Sequence, residues 1–332
     1  MIKDVTVVGS GTAGLITALI LKKRFPEYKV RIVQSSSIGI IGVGEGSTEH
    51  WEEFRRFLKL SESEVIRETK ATYKSGIRYL DWGKNDYIHI VDNTHRYVSF
   101  GQYYERYGGS IYDDVENEKL LQAEMYDKGR VSCYFIPNQL HFDTNLLNKY
   151  LTNKAKELKI EIIDDLITDV SIDVNDNITS IKGEKQNYVS DFYVDCSGFK
   201  KILIKNLGAK WKSYSKYLLT NKAMVFQTPK TEKINAYTLA KAMKHGWRFR
   251  IPTQERYGNG YIFNDTFVDT DKAKEEVEKE LGYQIKIGKE ISFDPGRLDK
   301  SWIGNCAAVG LSYSFLEPLE ATSIASTIQQ AF

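Results

Sequence analysis

Apolar and β-branched residues fill Asp4–Val8 without alternation and Gly9 ends the run, the pattern of a parallel strand covered on both faces. Leu15, Ala18, Leu19 and Leu21 then recur at helical spacing over 12–23, ahead of Pro26. A second short apolar run covers 30–34, so the chain opens as strand, helix, strand, a β-α-β unit whose crossover is right-handed. Further on, the spacing predicts a helix over 145–158 and strands over 160–164, 167–173 and 178–183, with a hairpin turn at 175–177 joining the last two. Another apolar strand is expected over 192–196. Residues 210–265 read as strand-rich with a helix near 236–244, and they predict an antiparallel second layer. Thr270 is expected to cap a charged helix that runs to Leu281 and stops at Gly282. From Leu316 the chain reads as a loop feeding a helix, within which it stops at Phe332.

Gly9-Ser10-Gly11-Thr12-Ala13-Gly14 places G-x-G-x-x-G between the first strand and the first helix. Gly9 permits the tight turn, Gly11 lets backbone approach a pyrophosphate, Gly14 lets helix and strand pack closely, and the helix N-terminus offers free N–H groups. The pattern therefore points to dinucleotide binding. An acidic residue is expected about 20 residues further on, to hold a ribose hydroxyl. Gln34 stands there instead, an amide that still accepts a hydrogen bond. Arg31 lies in mid-strand, so a 2′-phosphate is not favoured, and FAD and NAD both stay open. Gly42-Val43-Gly44-Glu45-Gly46-Ser47-Thr48 sets three glycines around one carboxylate, either a backbone held close to a ligand or an ordinary surface loop.

Composition narrows the function classes. The 332 residues, 42% hydrophobic and 27% charged, make a globular chain, and 46 basic against 44 acidic residues give a net charge of +2 that does not suggest nucleic acid. Cys133, Cys196 and Cys306 lie too far apart for a C-x-x-C motif, which fits a reducing, cytoplasmic setting. No apolar stretch reaches the roughly 18 residues of a membrane span. His50, His89, His95, His141 and His245 show no metal-ligand spacing, so no metal is expected. The loop with Asp173, Asn175, Asn177 and Glu184 lacks the glycine of an EF-hand, with Ile178 in its place.

Several segments in order resemble one family, the flavin-dependent halogenases typified by tryptophan halogenases. They include Gly9 to Gly14, the G-V-G-E-G-S-T run at 42–48, and Gly246-Trp247-Arg248-Phe249-Arg250-Ile251-Pro252. The last matches the family's G-W-x-W-x-I-P signature except that Phe249 replaces the second tryptophan. Tyr73-Lys74-Ser75-Gly76-Ile77 before Asp81-Trp82, His141-Phe142-Asp143 and Asp195-Cys196-Ser197-Gly198 are similar too. So is Gly310-Leu311-Ser312 leading to Phe315-Leu316-Glu317-Pro318-Leu319-Glu320.

The resemblance implies an α/β flavin monooxygenase-like fold: an FAD-binding, doubly wound parallel sheet with an antiparallel substrate-side sheet. The first part would take about 1–80, 141–205 and 300–332, and the second about 81–140 and 206–299. It implies that FADH2, oxygen and a halide yield hypohalous acid, which halogenates an electron-rich indole or phenol through Lys74. Lys74, buried among apolar neighbours, is expected to have a lowered pKa. Glu320 matches the glutamate beside that lysine. The residues matching FAD contacts are Gly9, Gly11, Thr12, Ala13, Gly14, Gln34, Glu45, Gly46, Ile167, Leu311 and Ile324. Asp195 and Gly198 look like the strand-end motif beside the cofactor, where the acid has either a cofactor role or a structural one.

Thr322 and Ser323 fall where the family's halide rests, with Ala321 and Ser323 departing from the usual Ser and Gly. Trp247 and Phe249 match the aromatics that shield the flavin, and Phe100 matches one that stacks on substrate. The implied partners are a separate NAD(P)H-dependent flavin reductase and a small aromatic substrate; a homo-oligomer stays open. Family members continue past the Glu320 segment into a mostly helical portion, so this chain reads as lacking it. Two alternatives stand beside the halogenase: a flavin-dependent aromatic hydroxylase and a non-catalytic flavin-binding module.

Overall fold

A computed structural model describes residues 2–39, 44–74, 76–90, 139–232, 234–317, 319 and 322–332. Its first layer is a six-stranded sheet in the order Trp302–Ile303, Cys306–Ala308, Phe192–Asp195, Asp4–Val8, Lys29–Gln34, Glu161–Asp164. All but the Trp302–Ile303 edge pair in parallel. The Asp4–Val8 strand lies in the middle because its apolar side chains are covered on both faces. Val5 and Val7 belong to one core cluster and Val8 to another. The Thr12–Arg24 helix buries Leu15, Ile16, Ala18, Leu19 and Ile20, and packs between the Thr144–Glu157 and Thr322–Ala331 helices. The former is capped by Asp143, whose carboxylate accepts from Asn145 N and Leu146 N.

The second layer is a seven-stranded sheet ordered Ile287–Ser292, Lys222–Pro229, Arg256–Phe263, Gly246–Pro252, Tyr237–Met243, Gly76–Leu80, Tyr87–Ile90. It is antiparallel except where Tyr237–Met243 runs parallel to Gly76–Leu80. The helix expected near 236–244 is thus a strand. Ala240 and Ala242, good helix formers in isolation, lie opposite Phe249 and Trp247, where small residues leave room for large rings. Hydrogen bonding on both edges of that strand overrides its local propensity. The charged helix is Thr270–Leu281 with Gly282 at its C-terminal end, but its cap is Asp269 rather than Thr270: Asp269 Oδ1 accepts from Lys272 N at 2.8 Å.

A third, small sheet joins the layers. Leu140–Phe142 pairs antiparallel with Glu45–Gly46 on one side and Thr72–Tyr73 on the other. Residues far apart in sequence, Glu45, Lys74 and His141, become neighbours through it.

Candidate active site

The parallel strands point their carboxyl ends at a cavity of about 540 Å³, within the usual ligand-pocket range of roughly 300–1,000 Å³. Val8 and Gly9, Val33 and Gln34, and Cys196 to Gly198 line it where the strand order reverses, the position at which open α/β sheets bind ligands. Gly9 adopts φ +108°, and a Cβ there would meet the Cys196 carbonyl, so the turn requires glycine. A Cβ at Gly14 would strike the Gly9 carbonyl oxygen, so Gly14 serves close packing and does not line the cavity. Gly11 has open space where its Cβ would be, and no side chain caps the helix that follows. Uncapped N–H groups at the edge of a cavity suit the diphosphate of a dinucleotide. The residues present therefore fit FAD.

Of the expected FAD contacts, Gly9, Gly11, Thr12, Ala13, Gln34, Glu45, Gly46, Ile167, Leu311 and Ile324 line this cavity, as do Trp247, Phe249 and Ser323. Thr322 is exposed and does not. Gln34 Oε1 accepts a hydrogen bond from Ser10 Oγ. Arg31 Nη2 binds Asp4 Oδ1 at 2.5 Å, which holds the guanidinium in the sheet. Trp247 and Phe249 sit with ring centroids 6.0 Å apart, and Trp247 Nε1 is buried without a hydrogen-bond partner among the described residues. A Cβ on Gly260 would collide with the Phe249 ring, so that glycine sets where the ring lies. Glu320 and Phe100 lie outside the described residues.

Asp195, read from sequence as either cofactor-side or structural, is structural in its contacts. It is fully buried, stands outside the cavity wall, and accepts from Ser197 N and Oγ, Leu203 N, Ile204 N and Ser312 Oγ at 2.6–3.1 Å.

Glu45 shares the cavity wall with a second carboxylate, Asp165, and burial pushes the Glu45 carboxyl up to about 7 against a smaller opposing hydrogen bond from Thr12. The unfolded chain loses this proton near 4.5 and the folded protein near 7, so stability falls as pH rises through that window and levels off above it. Thermal melts of the ligand-free protein should show this slope, at most about 1.4 kcal/mol per pH unit. Glu45→Gln should remove it; an unchanged slope would place the titration elsewhere.

Lys74 is fully buried. It follows the Thr72–Tyr73 strand, its backbone N–H donates to Gln139 O at 2.9 Å, and its Nζ donates to Ser47 O at 3.0 Å. Ser47 is itself pinned, with Leu140 N donating to its Oγ at 2.8 Å. One short segment, Gly44 to Ser47, thus contributes cavity wall at one end and the lysine's anchor at the other, while Lys74 itself is not part of the wall.

Sequence reasoning missed Thr238 and the aromatic lining from Phe199, Phe293 and Phe315. For Thr238 a signal existed. The two residues Lys244 and His245 separate runs that pair as a hairpin, with Met243 opposite Gly246.

The tryptophan halogenase family model matches residues 4–332. Tryptophan 7-halogenase RebH of Lentzea aerocolonigenes is 31% identical over 97% of this chain and 67% of its own length. Among solved structures, MibH, a lathipeptide tryptophan 5-halogenase, superposes with a TM-score of 0.86 at 29% identity, over 99% of this chain and 65% of its own. Tryptophan 6-halogenase SttH from Streptomyces toxytricini gives 0.84 at 27%, over 99% and 71%. The chain spans about two thirds of the length of the relatives it matches.

Proposed function

The chain belongs to the tryptophan halogenase family, and from that premise we propose that it is a flavin-dependent halogenase acting on an electron-rich aromatic of the indole or phenol type. The observation that carries the reading is the separation of two sites. The cavity is walled by Trp247 and Phe249, and the buried Lys74 lies outside it, anchored by the segment that contributes Glu45 and Gly46 to the wall. A hydroxylase brings its substrate to the flavin itself; here the aromatic wall favours a small oxidant that leaves the cavity toward Lys74.

In this reading the Gly9–Gly14 turn and the uncapped helix hold the diphosphate of FAD, and Gln34, Ile167, Leu311 and Ile324 line its path. Reduced FAD, when bound, supplies the electrons with which oxygen converts halide to hypohalous acid. Ser323 faces the cavity at the start of the Thr322–Ala331 helix and offers its backbone N–H to the halide, while Thr322 beside it stands outside the wall. Trp247 and Phe249 exclude organic substrate and water. Lys74 receives the oxidant by hydrogen bonding or as a haloamine and directs it to the ring, with Glu320 as partner and Phe100 stacking on substrate. A separate reductase delivers FADH2, and Cys196 and Cys306, both free and buried, suit a reducing cytoplasm. Among the described residues no helix is long and apolar enough to cross a membrane.

The test is a reaction with FAD, a flavin reductase, NADH, oxygen and chloride or bromide, offered tryptophan, indoles and phenols. Halogen isotope patterns in the products are expected. Oxygenated, unhalogenated product at every halide concentration would instead make the protein a hydroxylase.

A further inference from the structure

His141 sits beside Lys74 on the small sheet, and the flavin reading leaves it without a task. It is fully buried, and each ring nitrogen meets a threonine hydroxyl: Nδ1 lies 3.2 Å from Thr72 Oγ1 and Nε2 2.8 Å from Thr238 Oγ1. A third contact decides which nitrogen carries the hydrogen. Thr72 Oγ1 is 2.8 Å from Pro252 O, a carbonyl that only accepts, so the single hydroxyl proton of Thr72 goes there. Thr72 Oγ1 must then accept from His141, which puts the hydrogen on Nδ1. Burial, reinforced by the nearby Lys74 and opposed by a backbone hydrogen bond at Tyr73, holds the imidazole pKa well below its usual range. The ring is neutral with one N–H, Nε2 is a lone-pair acceptor, and Thr238 donates to it.

Thr238 also lines the cavity. Its one hydrogen points at His141, so only oxygen lone pairs remain for a ligand. The surrounding wall is apolar, built by Ile77, Trp247, Phe249, Ile251 and Ile262, whereas the diphosphate-binding turn lies at Gly9 to Ala13. A flat, largely apolar ring with N–H edges fits such a wall better than ribose or phosphate does. We propose that Thr238 is an acceptor-only subsite of the cavity, held in that polarity by His141 and Thr72, and that it takes a ring N–H of the bound flavin. The proposal rests on the flavin reading. It makes Thr238 a binding residue and His141 a positioning residue that acts through it.

Thr238→Val keeps the side-chain shape and removes the oxygen, while Thr238→Ser keeps the oxygen. Affinities for oxidised FAD, for reduced FAD under anaerobic conditions, and for ADP, which has the adenine but no flavin ring, separate the possible donors. The valine variant should bind reduced FAD about 5- to 10-fold more weakly, with the serine variant within about twofold of wild type and ADP binding equal in all three. A loss confined to reduced FAD assigns the donor to a nitrogen that gains its hydrogen on reduction. An equal loss for both redox forms assigns it to the ring N–H present in both. Wild-type affinity of Thr238→Val for both forms overturns the proposal, as does a parallel loss of ADP. Failure of the wild type to bind FAD would instead defeat the flavin reading. A measurement on the unmutated protein guards against a variant that does not fold: imidazole ¹⁵N shifts should show a protonated Nδ1 and an unprotonated Nε2 at His141, and the reverse assignment overturns the relay.

Discussion

Lys74→Met is expected to lose halogen transfer to the aromatic substrate by roughly 10²- to 10⁴-fold in kcat/KM, the scale on which a single positioned group acts in a proton-transfer or hydrogen-bonding role. Methionine preserves the unbranched length and suits the buried site, so the protein should fold and keep its FAD affinity, because Lys74 forms no part of the cavity wall. The variant should still consume reduced flavin and oxygen and release hypohalous acid, detectable with a soluble trapping phenol. That split, oxidant made but not delivered, separates a lysine that aims the oxidant from one that merely supports the flavin chamber. If the variant halogenates substrate as fast as the wild type, the proposed role of Lys74 is wrong. If it loses FAD binding instead, Lys74 acts through its hydrogen bond to Ser47 O and hence through the Gly44 to Ser47 segment.

The largest stability effect is expected at Asp195. Its carboxylate gathers the backbone N–H groups of Ser197, Leu203 and Ile204 and the hydroxyls of Ser197 and Ser312. Asp195→Ala strands these donors in a fully buried place, and each buried donor left without a partner costs about 1–3 kcal/mol. Partial relaxation keeps the sum below that total, at about 3–5 kcal/mol. A shift of the urea or guanidinium midpoint at unchanged m-value measures it. Asp195→Asn retains one acceptor oxygen and should fall between. Ser197 and Gly198 belong to the cavity wall, so FAD affinity should fall along with stability. A loss under about 1 kcal/mol would mean that water or relaxation replaces the carboxylate.

Much of the flavin half was legible in order along the chain. The Gly9 to Gly14 turn is a demand on local backbone, and local demands are written in adjacent residues: a left-handed φ at Gly9 and close packing at Gly14 admit nothing larger. The same holds for the first strand and helix, whose apolar positions follow from burial on two faces and on one. The expected FAD contacts reached one cavity, Gly14 excepted: Gly9 to Ala13 and Gln34 come from the carboxyl ends of parallel strands, whereas Glu45 and Gly46 come from the small antiparallel sheet and Ile324 from the Thr322–Ala331 helix.

What stayed hidden depended on partners distant in sequence. Residues 237–243 have the composition of a helix and became a strand because Gly76–Leu80 and Gly246–Pro252 hydrogen-bond to its two edges. No rule of spacing links Thr72, His141, Thr238 and Pro252, yet their side chains and one carbonyl determine where a single proton sits. Asp195 was equally ambiguous until the loop at 202–204 and Ser312 were seen to converge on it. The sequence alone determined the dinucleotide turn, the opening strand-helix-strand unit and the residue types available for chemistry, because these follow from local geometry and burial period. Only the tertiary structure decided that Lys74 stands outside the cavity, that Asp195 is a structural acceptor and that Thr238 lines the cavity while its hydroxyl meets His141. Burial and hydrogen-bond direction are properties of what folds against a residue, not of the residue.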